Sequence, residues 1–173
     1  SHLPLGKVTF GGTTVAMVQD LEQVFYQRPV LDVAPELLNK VLVVGERTGR
    51  IVEVEAYGGE DDPGSHAWRG PTPRTQLMYG PAGHWYIYLS YGVHWCANVV
   101  VSSPGTAAAV LIRAIEPMTG IDEMRDARGK VRDRDLANGP GKLTKALGFA
   151  QELNGVLIAG SAARICDDGT PPP

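Results

Sequence analysis

The chain predicts an α+β domain with a curved, mostly antiparallel sheet. Three observations carry that expectation. Period-two apolar patterns pair into two hairpins within the first two thirds. Helical patterns with glycine stops follow them. At 173 residues the chain has the length of one domain with a real core.

Residues 1–20 have weak periodicity and are expected to be irregular. DLEQVFY (20–26) reads as a short helix with Leu21, Val24 and Phe25 on one face. PELLN (35–39) reads as a helix turn opening on proline. VLVV (41–44) is a strand, GERTGR (45–50) a hairpin turn, and RIVEVEAY (50–57) the return strand. Alternation places Val52, Val54 and Ala56 on one face and Glu53, Glu55 and Tyr57 on the other. Residues 58–73 form a long loop. The second hairpin, 83–101, turns near Tyr91-Gly92 and protrudes from the sheet, with Trp85, Ile87 and Leu89 alternating against Tyr86, Tyr88 and Ser90. AAAVLI (107–112) is a buried strand ending in Arg113. Residues 120–130 form a charged helix. Residues 132–148 read as a helix, a glycine-proline break, and a helix stopped by Gly148. The close, DDGTPPP, is a turn-rich tail beyond which further chain is expected.

Bulk composition narrows the function. Hydrophobic content of 43% and charged content of 20% suit a globular protein. No run of 18 apolar residues marks a membrane span, and no leader pattern opens the chain. Cys96 and Cys166 have neither zinc spacing nor the pattern of a disulfide framework, so a reduced, cytoplasmic protein is expected. His66, His84 and His94 are too dispersed for a zinc motif, and neither metal nor cofactor is expected. The net charge of −3 argues mildly against a polyanionic partner. The local pattern argues the other way. Residues 63–113 contain no aspartate or glutamate, yet hold three arginines, three histidines and seven of the twelve aromatics. Such a surface suits a polyanion with flat rings, which is nucleic acid.

Within this frame Glu55 is the first candidate for chemistry. Glutamate is depleted in strands, and the next residue on its face is the aromatic Tyr57. A carboxylate beside rings can serve as a base, although spacing alone does not separate Glu55 from Glu53. Tyr91 at a hairpin tip either folds back over its strands or stands out as a wedge for a duplex. Asn98 lies in an apolar strand, where a buried amide needs partners, and Arg113 needs a carboxylate or ordered water. His66 and Tyr88 are further candidates. ANGPGKLTKALG (137–148) either packs as helix-break-helix or offers backbone amides and Lys142 and Lys145 to a phosphate.

Taken together, RIVEVEAYGGEDDPGSHAWRGPTPRT, GPAGHWYIYLSYGVHWCANVV, AAVLIRAIEP and ANGPGKLTKALG resemble the alkyladenine (3-methyladenine) DNA glycosylase family, over more than half the chain. The resemblance implies hydrolysis of the N-glycosidic bond of alkylated or deaminated purines in duplex DNA. The lesion class is 3-methyladenine, 7-methylguanine, hypoxanthine and ethenoadenine, and the product is an abasic site. It identifies Glu55 as the general base, as the second glutamate of E-x-E-A-Y, with Arg113 helping to hold the attacking water. Tyr57 and Tyr88 become the walls of the base pocket, and His66 a partner of the flipped base. Asn98 becomes a gate against unmodified guanine, and Tyr91 the intercalating residue. Arg69, Arg74, His94 and Lys142 are expected on the DNA backbone. Pro71 and Thr75 depart from residues common in the family at positions bearing on backbone affinity. No lysine stands beside Glu55 in the pattern, which implies a monofunctional enzyme without lyase activity, acting as a monomer on double-stranded DNA. A hydrolase of free nucleosides and a non-catalytic binder of damaged DNA are the rival readings.

Overall fold

A computed structural model describes residues 9–10, 13–14, 18–58, 62–65, 67, 70–102 and 105–173. A small ribbon, β1 (Thr9–Phe10) and β2 (Thr13–Thr14), precedes β3 (Gln19–Asp20), α1 (Gln23–Tyr26) and α2 (Val30–Leu37). The β4 (Val41–Val44) and β5 (Arg47–Tyr57) strands form the first hairpin, and β6 (Trp85–Ser90) and β7 (His94–Val100) the second. β8 (Ala109–Thr119), α3 (Ile121–Arg128), α4 (Pro140–Leu147) and β9 (Ala163–Asp167) follow. Seven strands make one antiparallel sheet in the order β3-β9-β4-β5-β8-β7-β6, so the α+β expectation holds.

The sheet buries both faces unequally. On one side Ile51, Val110, Ile112, Val99, Ala97, Trp85 and Ile87 pack against Val33 and Leu37 of α2, Met124 of α3, and Leu143, Ala146 and Leu147 of α4. On the other side a smaller cluster gathers Met78, Tyr86, Val100, Ala107 and Ala109. The candidate site opens beside this thinner layer, which a 3₁₀ turn at Gln76–Tyr79 packs against.

Several elements differ from the expectation. The first hairpin turns on Gly45 and Glu46 alone, with Val44 paired to Arg47 and Gly45 at φ +59°; a two-residue turn of this kind favours glycine at its first position. α2 begins just after Pro29, five residues before the expected start, and holds Pro35 inside it. Its span follows the helical spacing of Val30, Val33, Ala34 and Leu37, which face the core. In α1 the buried residue is Tyr26, while Val24 is exposed. The expected helix from residue 132 is a single 3₁₀ turn, Asp133–Asp135. There Arg128 donates to the carbonyls of Leu136 and Asp135, and Arg132 and Asn138 hold the Asp135 carboxylate. These side-chain bonds compete with the helical ladder. β8 runs on through Arg113 to Thr119, because β5 pairs with it beyond that point.

The strand β5 carries the most consequential departure. Its register with β8 shifts on both sides of Glu53. Ile51 is buried, Val52 is 47% exposed, and Val54 and Ala56 pack on the helix-side core. Simple alternation had put Val52 with Val54. The bulge restores the phase after Ile51 and leaves Val52 outside.

Candidate active site and nucleic-acid interface

Strand register assembles the site. Glu55 pairs with Leu111, Leu111 with Asn98, and Asn98 with Tyr86, one row across four strands. Directly opposed residues share a face and residues two apart repeat it. Tyr57, Arg113 and Tyr88 therefore stand on the same face as Glu55, and Glu53, beyond a register shift, reaches that face through its contact with Arg113. Residues scattered over 60 positions of sequence meet because the sheet is antiparallel.

Glu55 is held at both oxygens. The Tyr57 hydroxyl donates to Oε1 at 2.8 Å, and Arg113 Nη1 donates to Oε2 at 2.7 Å. Arg113 Nε also donates to Glu53 Oε1 at 2.9 Å. The hydrogen bond to Glu53 is the largest influence lifting the guanidinium above its ordinary range, with Glu55 adding to it. The Glu55 side chain remains 42% exposed, open to water. Burial, followed by the bond to Glu55, pushes the Tyr57 hydroxyl up to about 12. Tyr57 is therefore a fixed donor at neutral pH.

Next to this carboxylate lies a cavity lined by Tyr57, Gly64, Met78, Tyr86, Tyr88 and Asn98, with about 270 Å³ of open space. Tyr57 links the two features, since its ring lines the cavity and its hydroxyl grips Glu55. Asn98 is buried, and its Nδ2 donates to the Tyr86 carbonyl at 3.3 Å, which fixes the amide at the cavity wall. Tyr88 lies 5.7 Å from Tyr86, ring to ring, and the Arg74 guanidinium covers it at 5.4 Å. Burial raises the Tyr88 hydroxyl, with the Cys96 thiol adding to the effect.

The second hairpin ends in a three-residue loop closed by Val93 N to Ser90 O at 3.0 Å. Tyr91 is 98% exposed at φ +50°, beside Gly92 at +66°. A left-handed backbone costs a bulky residue about 1–2 kcal/mol, and such strain concentrates at functional sites. Leu89 and Val93 are exposed with it, so the tip is an apolar point on a rigid ribbon.

The basic candidates divide. Arg74 is exposed and braces the hairpin, donating from Nη2 to the Leu89 carbonyl at 3.1 Å. His94 is exposed at the base of the tip and packs on Gly141 so closely that an added Cβ would lie 2.8 Å from its own Cβ. This close approach requires glycine and seats the start of α4 against β7. Lys142 Nζ donates to Asn138 Oδ1 at 3.0 Å. His94, Lys142, Lys145 and Arg128 line one groove beside the hairpin. His66 and Arg69 lie outside the described residues. The sequence reading missed Met78, Tyr86 and Gly64 as lining residues. Tyr86 was within reach, being two residues before Tyr88 and on its face. Met78 comes from a 3₁₀ turn (Gln76–Tyr79) that packs over the sheet, and no local pattern marks it.

Among the described residues no helix is long and apolar enough to cross a membrane. Residues 24–172 match the model of the family described as methylpurine-DNA glycosylase (MPG). Three relatives carry the name "Putative 3-methyladenine DNA glycosylase". The protein from Burkholderia lata is 50% identical over 157 residues, covering 88% of this chain and 76% of its own. The one from Chlorobaculum parvum is 50% identical over 148 residues, 83% and 71% of the two chains. The one from Agrobacterium fabrum is 52% identical over 139 residues, 80% and 70%.

Proposed function

This chain belongs to the methylpurine-DNA glycosylase family and is a DNA repair glycosylase; we propose that it extrudes alkylated or deaminated purines from double-stranded DNA and hydrolyses their N-glycosidic bond with a water activated by Glu55. The observation that carries this reading is the Glu55 carboxylate, gripped by Arg113 and by a tyrosine that also lines the cavity.

Bound as a monomer along the minor groove, the protein inserts Tyr91 into the gap left by the departing nucleotide. Unstacking costs about a few kcal/mol, and less for a damaged base. The base then lies between Tyr57 and Tyr88, with His66 at an edge. Stacking returns about 1–3 kcal/mol, and cationic lesions such as 3-methyladenine gain further from the ring faces. Asn98, anchored to the Tyr86 carbonyl, crowds the exocyclic amine of an unmodified guanine. Arg69, Arg74, His94 and Lys142 meet the phosphates.

The chemistry needs one base and one stabilising charge. Water adds to the anomeric carbon as the carbon–nitrogen bond breaks, and its electron pair leaves with the purine. Glu55 takes the proton from the water and faces the positive charge that develops on the sugar. Arg113 orients the same water. The reaction is taken to be hydrolysis alone, without Schiff-base lyase chemistry. The lesion range is taken to be 3-methyladenine, 7-methylguanine, hypoxanthine and ethenoadenine.

The test uses duplex oligonucleotides bearing each lesion, with alkali to reveal abasic sites. Glu55→Gln abolishes base release while retaining affinity for an abasic-site analogue. Excision at the wild-type rate by that variant removes Glu55 from the mechanism. Release from free nucleosides, without salt-sensitive duplex binding, points instead to a nucleoside hydrolase.

A further inference from the structure

Spacing alone does not separate Glu53 from Glu55, and the two carboxylates share one guanidinium. Arg113 reaches Glu55 through Nη1 at 2.7 Å and Glu53 through Nε at 2.9 Å. We propose that Glu53 is a positioning residue for base release, holding Arg113 side-on so that Glu55 keeps an oxygen accessible to water. The inference rests on the reading of Glu55 as the general base.

Backbone geometry supports it independently. Glu53 sits between two register shifts of β5. The bulge keeps Ile51 buried in the helix-side core while it brings Glu53 within reach of Arg113. It leaves Val52 half exposed and interrupts the ladder, both of which are unfavourable. An unbroken strand would avoid that cost and turn one of these side chains to the wrong face.

Guanidinium geometry supplies the reason a second carboxylate matters. Arginine closes on a lone carboxylate with two parallel N–H bonds. Tyr57 already occupies one position on Oε1. Released from Glu53, Arg113 is free to rotate into the two-pronged pairing and cover both oxygens of Glu55. With Glu53 holding Nε, only Nη1 faces the base. Charge works in the same direction, since two carboxylates and one guanidinium leave the trio net negative, facing a sugar that turns positive. Glu53 is 58% exposed, however, and water screens an exposed charge, so geometry outweighs charge here. The same exposure means that the Glu53–Arg113 pair contributes little to folding.

The experiment measures single-turnover base release at saturating enzyme, half-saturation for lesion DNA, and Tm. Glu53→Ala and Glu53→Lys are expected to lose roughly tenfold to a hundredfold in rate, the scale of a small misplacement of reacting groups. In Glu53→Ala, half-saturation and Tm stay at their wild-type values. Glu53→Gln still accepts from Nε and recovers most of the rate. Wild-type rates in Glu53→Ala and Glu53→Lys overturn the proposal. A Glu53→Gln as slow as Glu53→Ala also overturns it, because charge rather than position would then be the cause. An inactive Glu55→Gln beside a fully active Glu53→Ala refutes only the role of Glu53. A fully active Glu55→Gln refutes the reading beneath it.

Discussion

Tyr57→Phe removes one oxygen and leaves the ring. In wild type that hydroxyl donates to Glu55 Oε1 at 2.8 Å. A hydrogen bond to a charged acceptor contributes about 1.5–3 kcal/mol when dry. Glu55 is 42% exposed, so water replaces part of the loss, and about 1 kcal/mol is the appropriate figure. At about 1.4 kcal/mol per factor of ten, base release should slow roughly fivefold, through a carboxylate held at one end instead of two. Affinity for abasic-analogue DNA should not change. Tyr57→Leu loses the stacking face as well, worth about 1–3 kcal/mol, and should fall much further in both rate and lesion affinity. Single-turnover rates and competitive binding separate the two variants. Because the hydroxyl sits at about 12, against an ordinary 10.0, it stays protonated through pH 10, and the ratio of wild type to Tyr57→Phe should be flat from pH 6 to that limit. The folded value is the higher one. The stability Tyr57 contributes is therefore complete below about pH 10 and fades as pH rises through 12. A Tyr57→Phe enzyme at the wild-type rate would refute the idea that this hydroxyl orients the base.

Two further predictions follow the same geometry. Tyr91→Ser should leave Tm unchanged, since the ring is 98% exposed, and should weaken extrusion; single-turnover release from DNA with a pre-extruded lesion should remain near wild type. Asp168 is held by Arg50 at 2.7 Å and is 10% exposed, which places its carboxyl at about 2 against an ordinary 3.8. At about 1.4 kcal/mol per pH unit between those values the pair contributes about 2 kcal/mol near neutrality. Asp168→Asn should lower Tm by roughly 5 °C at pH 7 by calorimetry. The stabilisation is present above about pH 4 and is lost as pH falls through 2, where wild type and variant should converge.

The sequence by itself determined the hairpins and the residue types of the site. Alternation is a local property, so Glu55 and Tyr57 could be placed on one face, Asn98 marked as a buried amide, and the turn at Tyr91-Gly92 located. The family likeness then separated Glu55 from Glu53. Tertiary structure decided what alternation cannot carry. The bulge at Val52 appears only when β5 is laid against β8, because its cause is the demand that Ile51 and Glu53 satisfy different neighbours. Met78 enters the cavity through packing of a 3₁₀ turn with no periodic signal. Arg113 looked like a strand end and proved to lie within a longer strand, because pairing with β5 continues past it. Helices α1 and α2 shifted for a related reason, since burial against the sheet outweighed the local cues of proline and propensity. Local chemistry writes candidates into the chain; long-range pairing, which depends on residues far away in sequence, chooses which of them meet.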